Sequence, residues 1–451
     1  MKTHQLILLT TVLFVTLFYD EDMGLNLGIL GISYALLTLF RTPEALRTRT
    51  FLLLFVLSIL SGVSFAWYGD FASFLAVFTS LALLTFHSRE HGLKSLFVIP
   101  VFGVNFITFI YRVFQFGEWL PAISTSSACR RLIAVILIPA FFILAFFGIY
   151  SLGSTHFAGI FDNWEWNFDV WQFVVLTSLG FFIAFNFWNY KIYNFFPEWN
   201  IYLKNDFHAA HLAQKPTSSF LGIEAERTSG IISFSALNIL LLIFIITFNF
   251  EQFFETPVSA AELSIETHER VNAVILSIVM AVLVIMFYFK GSFNFDHKAR
   301  PLKVLAEIWL ALNVILVLSA FIKNSEYVLH LGLTYKRLGV YTFLILCIIG
   351  LVLTFVKIRK RKTNAYLFNH MAWYFYGTVL VAAFFNWGYL ATSYNISNNK
   401  GSFEFHRTMN YNDDLLLEKY PHEAANVTEK VAEQKDRTFL SSILYYQTIN
   451  Y

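Results

Sequence analysis

The feature that most constrains this chain is the run LGVYTFLILCIIGLVLTFV, Leu338 to Val356, and what flanks it. It is apolar throughout and long enough to cross the hydrocarbon core as a helix. A basic cluster follows at once: Lys357, Arg359, Lys360, Arg361 and Lys362. Such a cluster beside a spanning helix stays on the cytoplasmic side, so it orients the run and the segments around it. A polar turn, Gly332 to Arg337, precedes the run.

The rest of the chain repeats the pattern. Of its 451 residues 57% are hydrophobic and 14% charged, and Phe alone contributes 52. Soluble domains carry about 25% charge, and the deficit here reflects long segments that exclude ionised groups from hydrocarbon. The net charge of +2 gives no footing for nucleic acid. The two cysteines, Cys129 and Cys347, are too few for a thiol metal site, and Cys347 lies inside an apolar run, which argues against a disulfide. The first apolar segment is followed by Asp20, Glu21 and Asp22 rather than a small-residue cleavage pattern, so it reads as a retained span.

Taken in order, the expected spans are His4–Tyr19, Gly24–Phe40, Phe51–Trp67, Phe71–Phe86, a run near Leu93–Phe114 broken by Pro100 and Gly103, Leu132–Tyr150, Val170–Trp188, Ile231–Phe250, Asn272–Tyr288, Leu305–Phe321, Leu338–Val356 and Phe368–Leu390. The acidic turn at 20–22 and the Arg-rich turn holding Arg41, Arg47 and Arg49 give a cytoplasmic N-terminus. One crossing per run then puts Arg130 and Arg131 outside, and the loop with Asp162, Glu165 and Asp169 inside, against the charge rule. Either a segment within 93–128 is re-entrant or interfacial, or it crosses twice. Non-helical backbone at membrane depth must be covered by protein or water. The expectation is an all-α, polytopic transmembrane helical bundle of about 11–12 spans over residues 1–390, with a cytoplasmic polar segment at 190–230. The tail, 391–451, carries eight acids against six Lys/Arg and is expected to be extracytoplasmic. Within it Phe403–Arg407 is expected to extend, Asn426–Lys435 to be helical, and Leu440–Tyr446 to supply a docking patch.

Glu307 is the leading site candidate. It stands near the start of a span, with Asn313 further along, and a carboxylate in hydrocarbon often marks an ion path. A bland alternative is an interfacial pair with Lys303 at i−4. Lys336 and Arg337 oppose the inside bias at an outer span end. With Tyr335 and Tyr341 they are suited to receiving an anionic group or to anchoring at the headgroups. Arg112 invites the same two interpretations. His208 and His211 would share a helix face near Asp206, but HExxH is lacking, and a surface helix is the better expectation. His268, Glu269 and Arg270 read as a solvated loop. Asn105, Asn186, Asn238, Asn249, Asn272, Asn313 and Asn386 offer interhelical hydrogen bonds. There is no Walker motif, dinucleotide fingerprint or GxSxG. Asn426-Val427-Thr428 has the form of a glycosylation acceptor and carries little weight. No cofactor and no metal site are implied.

GLTYKRLGVYTF, between two spans, resembles a motif of an uncharacterised family of bacterial polytopic membrane proteins, common in Bacteroidota and Bacillota and described as a domain of unknown function. The matching positions are Gly332, Leu333, Thr334, Arg337 and Tyr341, and the resemblance extends over residues 150–400. It implies a bacterial cytoplasmic (inner) membrane location and supplies no mechanism.

The expected function is a non-enzymatic membrane assembly or signalling component of a bacterial envelope, with membrane lipids and a protein in the membrane as partners and no nucleic acid. The alternatives are a transporter or exporter of a small solute or lipid-like molecule, and a membrane-embedded enzyme acting on an envelope lipid or glycan. A transporter calls for a polar cavity near the midplane lined by Glu307 or Arg112. An enzyme calls for an interfacial cleft with acid and base together. A scaffold calls for a packed centre and an apolar groove.

Overall fold

The computed structural model describes residues 1–89, 92–120, 135, 138–154, 157, 169–207, 222–254 and 260–450. Cys129, Arg130, Arg131, Asp162, Glu165, His208, His211 and Glu255 lie outside the described residues, as do the side chains of Glu262, Glu266, His268 and Glu269. Regular structure among the described residues is helical, apart from an isolated bridge between Asp206 and Lys362. Seven helices there are long and apolar enough to cross a membrane, and shorter apolar helices accompany them. The chain is a multi-pass, all-helical membrane protein. It divides into two compact units.

Unit 1 comprises residues 1–92, 97–193 and 436–444. Its helices are α1 (Thr3–Phe18), α2 (Leu25–Arg41), α3 (Arg49–Tyr68), α4 (Phe71–Arg89), α5 (Val98–Ile107), α6 (Phe109–Val113), α7 (Phe116–Trp119), α8 (Ile138–Gly153) and α9 (Val170–Trp188). In lipid, packing and hydrogen bonds rather than water exclusion hold helices together, which favours small residues at interfaces. Here α2 and α3 meet backbone to backbone: a Cβ on Gly28 would lie 2.6 Å from the Gly62 carbonyl oxygen. The Ser61 and Ser80 hydroxyls, 3.1 Å apart, join α3 to α4.

α1 and α9 run antiparallel. The Trp188 indole donates to Thr10 at 3.1 Å, and at the opposite end the Asp169 N–H donates to the Tyr19 hydroxyl at 2.6 Å. The first N–H groups of a helix have no partner within it. Those of α2 are met by tail residues: Leu25 donates to the Ser442 carbonyl and Asn26 to that of Leu440, both at 3.0 Å. Residues 436–444 therefore sit at the α1–α2 turn.

The apolar run at 93–114 is broken, and it is not a simple span. Its pieces α5, α6 and α7 are short. Arg89, Asn105, Arg112 and Lys191's partner Glu118 all meet residues 186–191 at the end of α9. The segment starts and finishes at one end of unit 1, as the re-entrant or interfacial alternative expects; Arg130, Arg131, Asp162 and Glu165, where the charge rule conflicted, lie outside the described residues. Asp169 lies at the other end of α9, beside Tyr19.

Unit 2 comprises residues 93–96, 194–435 and 445–451. Its helices are α10 (Phe195–Asn200), α11 (Ile223–Phe254), α12 (Ala260–Tyr288), α13 (Arg300–Leu331), α14 (Tyr335–Arg359), α15 (Asn364–Phe384), α16 (Trp387–Ser397), α17 (Phe403–Arg407), α18 (Asp413–Lys419) and α19 (Ala424–Lys435). α13 is central, packed by α11, α12 and α14 around Leu302, Ala306, Leu316, Val317, Ala320 and Leu344. It is longer at both ends than the expected 305–321. The expected last span, Phe368–Leu390, is not one helix: it falls on α15, which is not among the seven helices apolar enough to cross, and α15 ends at Phe385–Asn386, where the Asn386 side chain caps α16. Phe403–Arg407 is a helix, not an extended segment, because Ser402 caps its first turn.

The basic cluster is more than a solvated topology marker. Lys357 is fully buried and donates to the Phe289 carbonyl at 2.9 Å, Arg359 pairs with Glu307, and Lys362 with Asp206. At the opposite end of α13 and α14 lie the Gly332–Arg337 turn and the tail helices.

Candidate functional site

Among the described residues, two polar constellations, an apolar cavity and a polar one carry the chemistry; the polar cavity, about 380 Å³ in unit 1, is lined by Asp20, Glu21, Asp22, Gln172, Asp436 and Arg437 among others. The first constellation is the clamp at the end of α9 in unit 1. Asn105 is fully buried and makes a two-way bond with the backbone of Lys191: its Nδ2 donates to the Lys191 carbonyl at 2.8 Å, and its Oδ1 accepts from the Lys191 N–H at 2.8 Å. Arg112, 1% exposed, donates to the Asn105 carbonyl and to Asn186 Oδ1, both at 3.1 Å, and to the Asn189 carbonyl. Its guanidinium stands 5.0 Å from the Phe185 ring centre. Arg41 donates to the Trp188 carbonyl at 3.2 Å and to Thr3 at 2.9 Å. Arg89 donates to the Trp188 carbonyl and, at 3.2 Å, to that of Tyr190. Three cations thus converge on the negative end of a helix dipole and on its orphan carbonyls. Arg112 was legible as a candidate. Arg41 and Arg89 were visible only as inside-loop charges.

The second constellation is the Gly332–Arg337 turn in unit 2. Gly332 ends α13 at φ +82°, a conformation open to glycine and strained for other residues. Asn395 of α16, fully buried, makes the same two-way bond, here with Leu333: Leu333 N–H to Oδ1 at 2.6 Å, and Nδ2 to the Leu333 carbonyl at 2.9 Å. Thr334 caps α14 through the Arg337 N–H. Arg337 folds back onto the carbonyls of Leu331, at 2.9 Å, and Gly332, and lies 4.0 Å from the Tyr327 ring centre. Asn324 Nδ2 donates to the Arg337 carbonyl at 3.2 Å. The Tyr335 hydroxyl accepts from the Asn410 N–H at 3.0 Å, and Tyr341 donates to Ser325 at 2.8 Å. Lys336 points outward. The turn is a seat for the tail.

The remaining candidates separate from both. Glu307 pairs with Arg359 of α14 at 2.7 Å rather than with Lys303, whose amine donates instead to the Asn294 carbonyl at 2.9 Å. Asn313 is fully buried in α13 and donates to the Trp309 carbonyl at 2.8 Å, leaving its Oδ1 without a partner. Among the described residues no group of three or more His, Cys, Asp or Glu is placed to hold a metal ion.

The apolar cavity lies in unit 1, between α2, α4, α5 and α9, with a volume of about 320 Å³. Its wall is apolar, formed by residues such as Leu27, Tyr34, Phe78, Leu81, Phe102 and Phe187.

A family model described as Domain of unknown function (DUF4153) matches residues 28–421. This reaches well beyond 150–400 at the N-terminal side and takes in both clamps. No curated protein and no solved structure matches the chain.

Proposed function

We propose a function on the premise that the chain belongs to the DUF4153 family: it is a non-enzymatic assembly or signalling component of a bacterial cytoplasmic membrane. Its basic ends face the cytoplasm and its 391–451 tail faces outside. The supporting observation is that the arginines singled out as candidates hold backbone and the carboxylate pairs with a side chain of the neighbouring helix. Arg112 and Arg337 cap carbonyls, and Glu307 ties α13 to α14. A transport path would need such groups turned toward a polar cavity, and Arg112, Arg337 and Glu307 line neither the apolar cavity of unit 1 nor the polar one at Asp20, Glu21 and Asp436. The tail is seated by the buried Asn395 and the half-buried Asn386, and offers a folded surface to a partner.

The test is purification in lipid particles cut directly from the native membrane, without detergent. A second membrane protein at fixed stoichiometry is expected. Phe439, 73% exposed, is a place to perturb the tail surface, and Phe439→Asp should lower that stoichiometry without changing the melting of the chain. A lone chain that drives solute flux in proteoliposomes, or that turns over an envelope lipid, would overturn the proposal. Cysteines introduced at Lys336 and Lys360 test the orientation: the first should label from outside and the second only after permeabilisation.

A further inference from the structure

The apolar unit 1 cavity and the arginine clamp are neighbours, and the proposed assembly role uses neither as a binding site. The cavity begins at Leu27, near the outer end of α2, and continues to Tyr34, with Phe187 in its wall at the inner end. Seven residues of helix span about 10 Å. At that inner end the wall becomes an aromatic layer. Tyr34 stacks on Trp188 with ring centres 5.6 Å apart, and Phe102 meets Tyr190 at 5.2 Å. The cations stand directly behind the layer: the Arg41 guanidinium is 5.7 Å from the Trp188 ring centre, and that of Arg89 is 4.6 Å from the Tyr190 ring centre.

A slot with apolar walls, closed at one end by an aromatic layer with cations behind it, has the two-part chemistry of an anionic lipid. The acceptors seen on Arg41 and Arg112 are carbonyls, a threonine hydroxyl and an asparagine amide, all neutral. They satisfy hydrogen bonds without cancelling charge. Arg41 is half-buried, and the bonds to the Trp188 carbonyl and Thr3 use two of its five N–H donors. Arginine is suited to bidentate phosphate contact, and basic pockets on the cytoplasmic side of helical membrane proteins take anionic headgroups.

We propose that the cavity holds one acyl chain of an anionic phospholipid whose phosphate is received by Arg41 and Arg89 at the cytoplasmic end. The occupant is a phospholipid and not a free anion, because the cavity adjoining the cations offers a wall of side chains to hydrocarbon and no polar lining. It is anionic and not neutral, because Arg41, Arg89 and Arg112 converge on this one helix end.

The experiment is native mass spectrometry of the full chain released from nanodiscs of equimolar phosphatidylglycerol and phosphatidylcholine with identical acyl chains. Retained phosphatidylglycerol should exceed phosphatidylcholine by about thirtyfold, the order expected of two cations beside the headgroup at about fivefold each. Leu81→Trp fills the slot and should bring the two lipids to equal retention. Arg41→Gln should lower the ratio about fivefold while keeping phospholipid bound. Unfolding curves in lipid-free detergent verify that each variant folds. Equal retention of the two lipids by the native chain overturns the proposal without recourse to any variant. So does a neutral isoprenoid in place of phospholipid, and so does a folded Leu81→Trp variant that retains phosphatidylglycerol as the native chain does. Glycerol phosphate at millimolar concentration should leave the ratio unchanged, and its displacing the lipid would point to a free-anion site instead.

Discussion

The clamp at the end of α9 and the turn after α13 are built alike. In each, a fully buried asparagine bonds both ways to one backbone unit beyond or near a helix end, Asn105 to Lys191 and Asn395 to Leu333. In each, an arginine folds onto carbonyls that the helix leaves unpaired. They differ in reach. Arg337 takes carbonyls five and six residues before it. Arg112 reaches Asn189, 77 residues away, and Arg89 and Arg41 reach Trp188 over 99 and 147. The local version leaves a compact motif in the sequence, and the long-range version leaves scattered arginines. The same physical need, satisfying polar backbone where water is scarce, is therefore conspicuous in one place and dispersed in the other.

Breaking the long-range clamp should have the largest effect. Arg112→Ala leaves buried carbonyls and Asn186 unpaired and should lower stability by about 3–5 kcal/mol, read as an earlier thermal unfolding transition in detergent. Because Arg112 and Asn105 share the 189–191 backbone, the double change to alanine should cost less than the sum of the single ones. Additive losses would mean that the two side chains act separately. Asn395→Ala should cost about 2–4 kcal/mol, since both polar groups of Leu333 lose their partner. The loss should appear as proteolysis of the tail at a lower temperature than unfolding of the helices.

Arg337→Ala should cost less than Arg112→Ala, about 2–3 kcal/mol, because Leu331 is only half-buried and water can replace part of the bonding. Equal losses at the two arginines would erase the distinction between the clamps.

Below these comes a pH effect in the tail that the first clamp should not share. Burial holds the His406 imidazole below the ordinary histidine range, against the opposing hydrogen bond to the Lys400 carbonyl. Its Nε2 donates to that carbonyl at 2.9 Å, and its Nδ1 accepts from the Tyr420 hydroxyl at 3.0 Å. The unfolded tail then binds the proton more readily than the folded one, so stability is full above the unfolded histidine pKa and falls as pH drops through and below it. The protection factors of amides at residues 400–412, corrected for the intrinsic exchange rate at each pH, should fall between pH 7.5 and 5, and His406→Gln should remove most of that dependence. Smallest is Glu307→Gln. Its partner Arg359 has a side chain 61% exposed, so the change should cost about 0–1 kcal/mol. A loss above 2 kcal/mol would return Glu307 to the list of residues with a larger role.

Much of the fold was open to sequence reasoning because the bilayer imposes length and charge rules on each helix separately. The apolar runs, the acidic turn at 20–22, and the basic cluster after Val356 each carry their meaning within about 20 residues. The candidate site was only partly legible. Arg112 and Arg337 stood out as charges in or beside apolar sequence, but residue type alone does not distinguish a cap from a ligand site. Glu307 was paired in expectation with Lys303, one helical turn away, whereas the partner came from the next helix, which no spacing rule identifies.

What the sequence by itself determined is the material of this protein: apolar helices, their approximate limits, and the one turn whose capping residues are contiguous. Only the tertiary structure decided that the 89–118 segment returns to the end of α9, that Arg41, Arg89 and Arg112 meet there, and that Leu440 and Ser442 cap a helix beginning at Leu25. The physical reason is that backbone groups at helix ends need partners but do not specify which. In a chain this uniformly apolar, the choice falls to whichever distant side chain the packing brings within reach.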